Sequence, residues 1–234
     1  MADRFRALGG EILTGRVPEG AAIEDGRVTE VHVEGRVIPT SYVAWTGTVH
    51  SLARLLDLPA PKVSYLALVC YYMTLSDGPP HDFQWSYHGT SDIIFSRISV
   101  PSNFDPANAP PGKRAICVEV SCYEGDEQYE HPERILDRLA DDLVRERVLK
   151  STEEIESVRF ERFAWAYPVY HLDYRTELKR FDKSLASVKN VLRAGRLGKF
   201  WYNNMDHCVG AAFAHADKIA ANLTGTPSKK EVAA

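Results

Sequence analysis

Apolar residues recur with two different periods along this chain, and where the period changes the predicted structure changes with it. Residues 5–10 read as the end of a helix stopped by Gly9-Gly10, and residues 11–17 read as a strand. From Arg27 to Glu34 apolar and charged positions alternate, Gly35 turns the chain, and residues 36–39 lead into the apolar Tyr42-Val43-Ala44-Trp45. This predicts a small meander feeding a buried strand. Residues 49–58 have helical spacing and end at Pro59-Ala60-Pro61. The strongest run is 62–76, where Val63, Tyr65, Ala67, Val69, Tyr71 and Met73 alternate with Leu66, Leu68, Cys70 and Tyr72. Both faces are apolar, as in a central strand covered on both sides.

Asp77-Gly78-Pro79-Pro80 predicts a turn, residues 82–88 and 93–100 predict strands, 101–112 a proline-rich loop and 113–122 another strand. The connections are too short for crossovers, so these strands are expected in one antiparallel sheet. Pro132 suits the first turn of a helix whose Ile135, Leu136, Leu139, Leu143 and Val144 share a face. Ser151-Thr152-Glu153-Glu154 has capping-box spacing, and β-type residues follow at 158–165. Residues 174–188 predict a helix. The aromatic run Phe200-Trp201-Tyr202 reads as a short buried strand before a final helix carrying Val209, Phe213 and Ile219, and residues 223–234 read as a disordered tail.

The 234 residues are 44% hydrophobic and 26% charged, which is the balance of an ordinary globular protein. A formal net charge of -4, with Lys and Arg spread along the chain, gives no basic footprint, so no nucleic-acid partner is expected. No run of 18 apolar residues exists, and the N-terminal residues lack the apolar core of a signal peptide. No membrane span and a cytoplasmic location are therefore expected. Cys70, Cys117, Cys122 and Cys208 show no CxxC spacing and read as reduced packing residues, so no metal is assigned.

Three stretches could carry chemistry. In Gly195-Arg196-Leu197-Gly198-Lys199-Phe200-Trp201-Tyr202-Asn203-Asn204-Met205-Asp206-His207, two glycines permit a tight turn and a polar cluster stands where a helix begins. Its free N–H groups and positive dipole end suit an anionic or polar ligand, and on pattern alone an ordinary capped helix is the commoner arrangement. Phe83-Gln84-Trp85-Ser86-Tyr87-His88 with Arg97 offers rings to stack on a flat ligand and one guanidinium for a phosphate or carboxylate; a packed sheet face with a surface ion pair is the other reading. Tyr167-Pro168-Val169-Tyr170 places two tyrosines where a strand leaves its sheet. His207 beside Asp206 fits an acid–base pair, or a capping Asp next to an exposed His. No HExxH, GxSxG or phosphate-loop motif appears, which leaves hydrolase and metalloenzyme chemistry without support.

The Tyr202-Asn203-Asn204-Met205-Asp206-His207 segment after Gly195-Arg196, preceded by Ala166-Tyr167-Pro168-Val169-Tyr170, resembles the C-terminal part of the flavin-containing amine oxidase superfamily. Within it, the branch of UDP-galactopyranose mutase and protoporphyrinogen-oxidase-like proteins is the most similar. The resemblance implies an α+β fold: a partial FAD-binding α/β domain from residues 1–60 and 171–222, and a mostly antiparallel substrate-binding sheet with flanking helices from 61–170. It places Val17, Gly195, Arg196, Tyr202, Asn204, Met205 and Asp206 at the FAD, and Trp85, Tyr87, Arg97 and Tyr167 at the substrate. It implies flavin chemistry on a small molecule such as a sugar nucleotide, either oxidation or isomerisation. Family members begin with a G-x-G-x-x-G turn that this sequence lacks, so a second chain supplying that half, or self-association, is expected. A binding or assembly module that keeps the scaffold without the cofactor is the reading from a different class.

Overall fold

The computed structural model describes residues 1–78 and 81–224. The chain is α+β and divides into two compact units, Ser64–Val169, and Met1–Val63 with the chain from Tyr170 on.

In the first-and-last unit, helix α1 (Ala2–Ala7) ends in a turn at Gly9, whose φ of 86° suits glycine. Strands β1 (Pro18–Glu24), β2 (Arg27–Val33) and β3 (Arg36–Pro39) form an antiparallel meander. The strand expected at 11–17 is absent. Instead Glu11 takes a two-pronged ion pair from Arg36 at 2.7 and 2.8 Å, and Arg16 pairs with Glu34. These side chains tether an extended segment across the meander, and pairing starts at Pro18, which opens an edge strand because that position need donate no N–H.

Strand β4 (Val43–Trp45) precedes helix α2 (Val49–Leu55), whose N-cap Thr48 accepts the Ser51 N–H at 3.1 Å. After helix α6 (Tyr174–Leu185) the chain adds strand β10 (Val191–Arg193) in parallel beside β4. Asn190, 1% exposed, ties the two regions together. Its amide accepts from Val28 N at 2.8 Å and donates to the carbonyls of Val28 and Ser41 at 2.8 and 3.0 Å.

The short helix α7 (Gly195–Lys199) then brings Gly198 against β4, where a Cβ would stand 2.5 Å from the Trp45 carbonyl oxygen. Only glycine fits that approach. The buried strand expected at Phe200-Trp201-Tyr202 is not formed. Phe200 takes a left-handed φ of 53° to end α7, and Trp201 is 45% exposed. The left-handed turn that ends α7 takes Phe200 out of the extended conformation a strand needs. Helix α8 (Met205–Thr224) takes in Leu223 and Thr224, the first two residues of the expected tail; 225–234 lie outside the described residues, as do Pro79 and Pro80 of the expected turn.

The other unit is a five-stranded antiparallel sheet in the order β6 (Trp85–Tyr87), β7 (Arg97–Ser99), β8 (Arg114–Cys122), β5 (Ser64–Leu75), β9 (Ile155–Val169). The expected strands at 82–88 and 93–100 shorten to three residues each, and the proline-rich loop contains helix α3 (Pro101–Phe104). One face of the sheet forms the core. Ala67, Val69, Tyr71, Met73 and Leu75 pack with Ile116, Val118 and Val120, and with Leu139 and Leu143 of helix α5 (Leu136–Arg145). Each of those two leucines, fully buried, contributes on the order of 1.5–3 kcal/mol. Helix α4 (Glu127–Glu130) and a 3-10 turn at Pro132–Ile135 precede α5, and the Tyr71 hydroxyl donates to the Pro132 carbonyl at 2.9 Å.

Candidate functional site

The opposite face of the same sheet carries charge. Side chains alternate across a strand, so Leu68, Cys70 and Tyr72 of β5 point away from the core, and residues directly opposite on neighbouring strands join them. Two rows result. One runs Tyr87, Arg97, Glu119, Cys70, Glu161, and the next runs Trp85, Ser99, Cys117, Tyr72, Arg159.

Glu119 is the centre of the first row and is 5% exposed. Arg97 Nε donates to its Oε1 at 2.8 Å, a second guanidinium nitrogen reaches the same oxygen, and the Tyr167 hydroxyl donates to Oε2 at 3.3 Å. The guanidinium carbon lies 6.0 Å from the centre of the Tyr87 ring. Burial works against the charge on Arg97, but hydrogen bonds to Glu119 and Tyr87 and the Glu119 charge together outweigh this and hold it cationic. Removing one partner of such a pair costs about 3–5 kcal/mol because the other charge stays buried.

Of the residues singled out from the sequence, Arg97 and Tyr167 thus meet at one carboxylate, and Tyr87 lies against Arg97. The fourth, Trp85, lies on the same face, stacked on Phe104 with ring centres 5.8 Å apart. Tyr167 reaches the cluster past a register break in the β5–β9 pairing between Leu66 and Leu68, a device that re-aims a side chain. The sequence reading passed over Glu119 and took Cys70 and Cys117 as reduced packing residues. The signal available was a lone carboxylate in the otherwise apolar Cys117-Val118-Glu119-Val120.

Cys70, Cys117 and Glu119 bring their donor atoms within 4.8 Å of one another. The Cys117 thiol donates to the Cys70 sulfur, which lowers the pKa of Cys70 and raises that of Cys117, and burial opposes ionisation of both. Burial is also the main cause that pushes Tyr72, opposite Cys117, up to about 12.

The residues matched to a flavin are more scattered. Val17 is 61% exposed just before β1. Gly195 opens α7 with φ 69°, a value that suits glycine. Arg196 turns inward, with its Nε donating to the Asn203 carbonyl at 3.1 Å and its guanidinium carbon 5.1 Å from the Tyr202 ring centre. Tyr202 N donates to the Tyr170 hydroxyl at 2.6 Å. Asn204, Met205 and Asp206 are exposed at the start of α8, with the Asp206 carboxylate 3.1 Å from His207 Nδ1. Nearby, a concavity of about 320 Å³ includes Gly195, Lys199, Asn203, Cys208 and His215. Burial lowers the pKa of both Lys199 and His215, and the Lys199 charge lowers His215 further.

No protein-family model matches this chain, and no curated protein matches it in sequence. Its fold is similar to solved structures. Reduced UDP-galactopyranose mutase matches with a TM-score of 0.75 and 18% identity over 90% of this chain and 46% of the other. A putrescine oxidase variant matches at 0.64 and 15% over 93% and 51%, and a putative protoporphyrinogen oxidase from Exiguobacterium sp. 255-15 at 0.63 and 15% over 80% and 43%. The chain spans about half the length of these structures, and at such identities the likeness is one of fold.

Proposed function

We propose that this chain supplies the substrate-facing sheet and part of the flavin-facing scaffold of an FAD-dependent oxidoreductase or sugar-nucleotide mutase of the amine oxidase superfamily. The observation that carries the reading is the convergence of Arg97 and Tyr167 on the buried Glu119, with Tyr87 against Arg97, on a fold similar to UDP-galactopyranose mutase and putrescine oxidase. Arg97 and Tyr167, each pinned by Glu119, would present a guanidinium edge and a phenol to a polar substrate, and Tyr87 and Trp85 would present ring faces. A flavin, when bound, accepts a hydride from a carbon bearing nitrogen or oxygen.

The residues here fit part of that cofactor. The exposed side chains of Asn204 and Asp206 at the α8 start suit the hydroxyls of a ribityl chain, and Gly195 leaves backbone accessible. They do not fit a whole diphosphate, because Arg196 is committed to Asn203 and Tyr202 and Gly198 is packed on Trp45. The glycine-rich cradle would come from a second chain, in the cytoplasm. The same inward commitment of Arg196 favours the other reading, a binding or assembly module without a cofactor.

Flavin absorbance and an FAD titration on the purified chain, alone and with a candidate partner carrying G-x-G-x-x-G, test the proposal. The expected result is weak or no binding alone, stoichiometric binding with the partner, and a loss of about 1.5–3 kcal/mol on Asp206→Ala, the worth of one charge-assisted hydrogen bond. Tight FAD on the lone chain would remove the need for a partner. No flavin with the partner would leave the module.

A further inference from the structure

We propose that Cys70, Cys117 and Glu119 form a binding site for one zinc-class divalent cation on the charged face of the sheet. The inference needs no flavin, although the site shares Glu119 with the substrate face proposed above, and metal binding is read separately from FAD binding. Its starting point is strand geometry: Cys117 and Glu119 are two residues apart on β8 and so share a face, and Cys70 of β5 stands directly opposite Glu119. The three donor atoms lie within 4.8 Å of one another, and all three residues are buried. Zinc–sulfur bonds of about 2.3 Å and zinc–oxygen bonds of about 2.1 Å put tetrahedral ligands roughly 3.5–3.8 Å apart. Side-chain rotations of about 1 Å would close the set.

Charge favours the ion. Two thiolates and a carboxylate bring three negative charges into a buried place that holds one positive charge, Arg97. A divalent cation makes the cluster neutral, whereas ionising both thiols without it is opposed by burial. The carboxylate is already oriented by two Arg97 donors on Oε1 and the Tyr167 hydroxyl on Oε2, and Oε2 keeps a lone pair for a metal. Such outer hydrogen bonds hold ligating carboxylates in place. Among the described residues no fourth His, Cys, Asp or Glu joins the set. The fourth position is therefore open to solvent or to a substrate heteroatom, the pattern of catalytic rather than structural zinc. Tyr72, opposite Cys117, is partly exposed and hydrogen-bonds to Cys70 at the rim of the set.

A disulfide is the competing fate of two neighbouring thiols, and the register argues against it. Cys70 and Cys117 are diagonal neighbours on antiparallel strands, a relation that puts Cα atoms about 7–8 Å apart. Disulfides need about 4.4–6.8 Å. An ion bridging the sulfurs relieves that mismatch.

The test is cobalt substitution in the full chain, reduced and stripped with a chelator. One equivalent of Co²⁺ is expected to give a thiolate charge-transfer band and intense tetrahedral ligand-field bands, which Zn²⁺ then bleaches. Cys70→Ala and Cys117→Ala should each abolish the bands, Glu119→Gln should weaken binding at least about tenfold, and Cys122→Ala should leave them intact. In the unaltered chain, Zn²⁺ should slow alkylation of Cys70 and Cys117 alone, a readout that stands even if a variant fails to fold. Absence of the bands, their survival in Cys70→Ala, or a Cys70–Cys117 disulfide formed in place of metal binding overturns the proposal.

Discussion

Glu119 and Asn190 show how much a single buried polar residue organises here. Glu119 gathers Arg97 and Tyr167 onto one face of the sheet, and Asn190 joins β2 to the segment before β4 through three hydrogen bonds. Asn190 does not announce itself in the sequence, because a lone Asn reads the same whether it is buried or exposed, and Glu119 shows only as a single carboxylate in an apolar stretch. Asn190→Ala would leave one buried N–H and two carbonyls without their partner, at about 1–3 kcal/mol per unsatisfied group. We expect a total loss of about 2–4 kcal/mol in urea unfolding, with relaxation absorbing the remainder; a change under about 1 kcal/mol would mean that water replaces the amide.

At the scale of elements, the capping box at Ser151 was legible from four residues, and the structure adds what it holds. Glu154 accepts from Lys150 N at 2.6 Å and Ser151 N at 3.3 Å while pairing with Arg114 at the start of β8, and its backbone carbonyl accepts from Ser76 N at the end of β5. Burial acts to raise the Glu154 pKa, but the Arg114 hydrogen bond and the two backbone donors outweigh it, so the carboxyl lies below its ordinary 4.5. A depressed carboxylate contributes stability that is fully present above its unfolded pKa and is lost as pH falls through the folded value. The prediction is that Glu154→Gln destabilises the chain at neutral pH and that the gap from wild type closes in acid, read from urea midpoints across about pH 3–7. A gap that stays constant would show that the ionised carboxylate is not what holds the β5 and β8 ends together.

At the scale of the molecule, α8 is twenty residues long and none of them is buried, although Met205, Val209 and Phe213 are exposed at 85%, 52% and 73%. Under the reading proposed above, this exposed apolar surface is where a second chain would dock. No described helix is long and apolar enough to cross a membrane. Phe213→Ser is therefore expected to change the lone chain's stability by no more than about 0.5 kcal/mol, while weakening capture of a G-x-G-x-x-G partner by about 2 kcal/mol, roughly thirtyfold. Thermal unfolding and a binding titration separate the two effects. A large stability loss in the lone chain would show that α8 already has a partner in its own residues.

What local pattern determines, this sequence determined alone. The two-faced apolar run at 62–76 became the β5 strand inside its sheet, the alternation after Arg27 became β2, and the 3.6-period faces became α5 and α6, because burial of a strand or helix face is written in side-chain spacing. Tertiary structure decided the rest. Residues 11–17 stayed outside the sheet, with Glu11 and Arg16 in exposed ion pairs to Arg36 and Glu34, and Phe200 became the left-handed cap of α7. Gly198 needed glycine only because Trp45 lies against it. The donor set of Cys70, Cys117 and Glu119 came from two strands more than forty residues apart, and only their register brought it together.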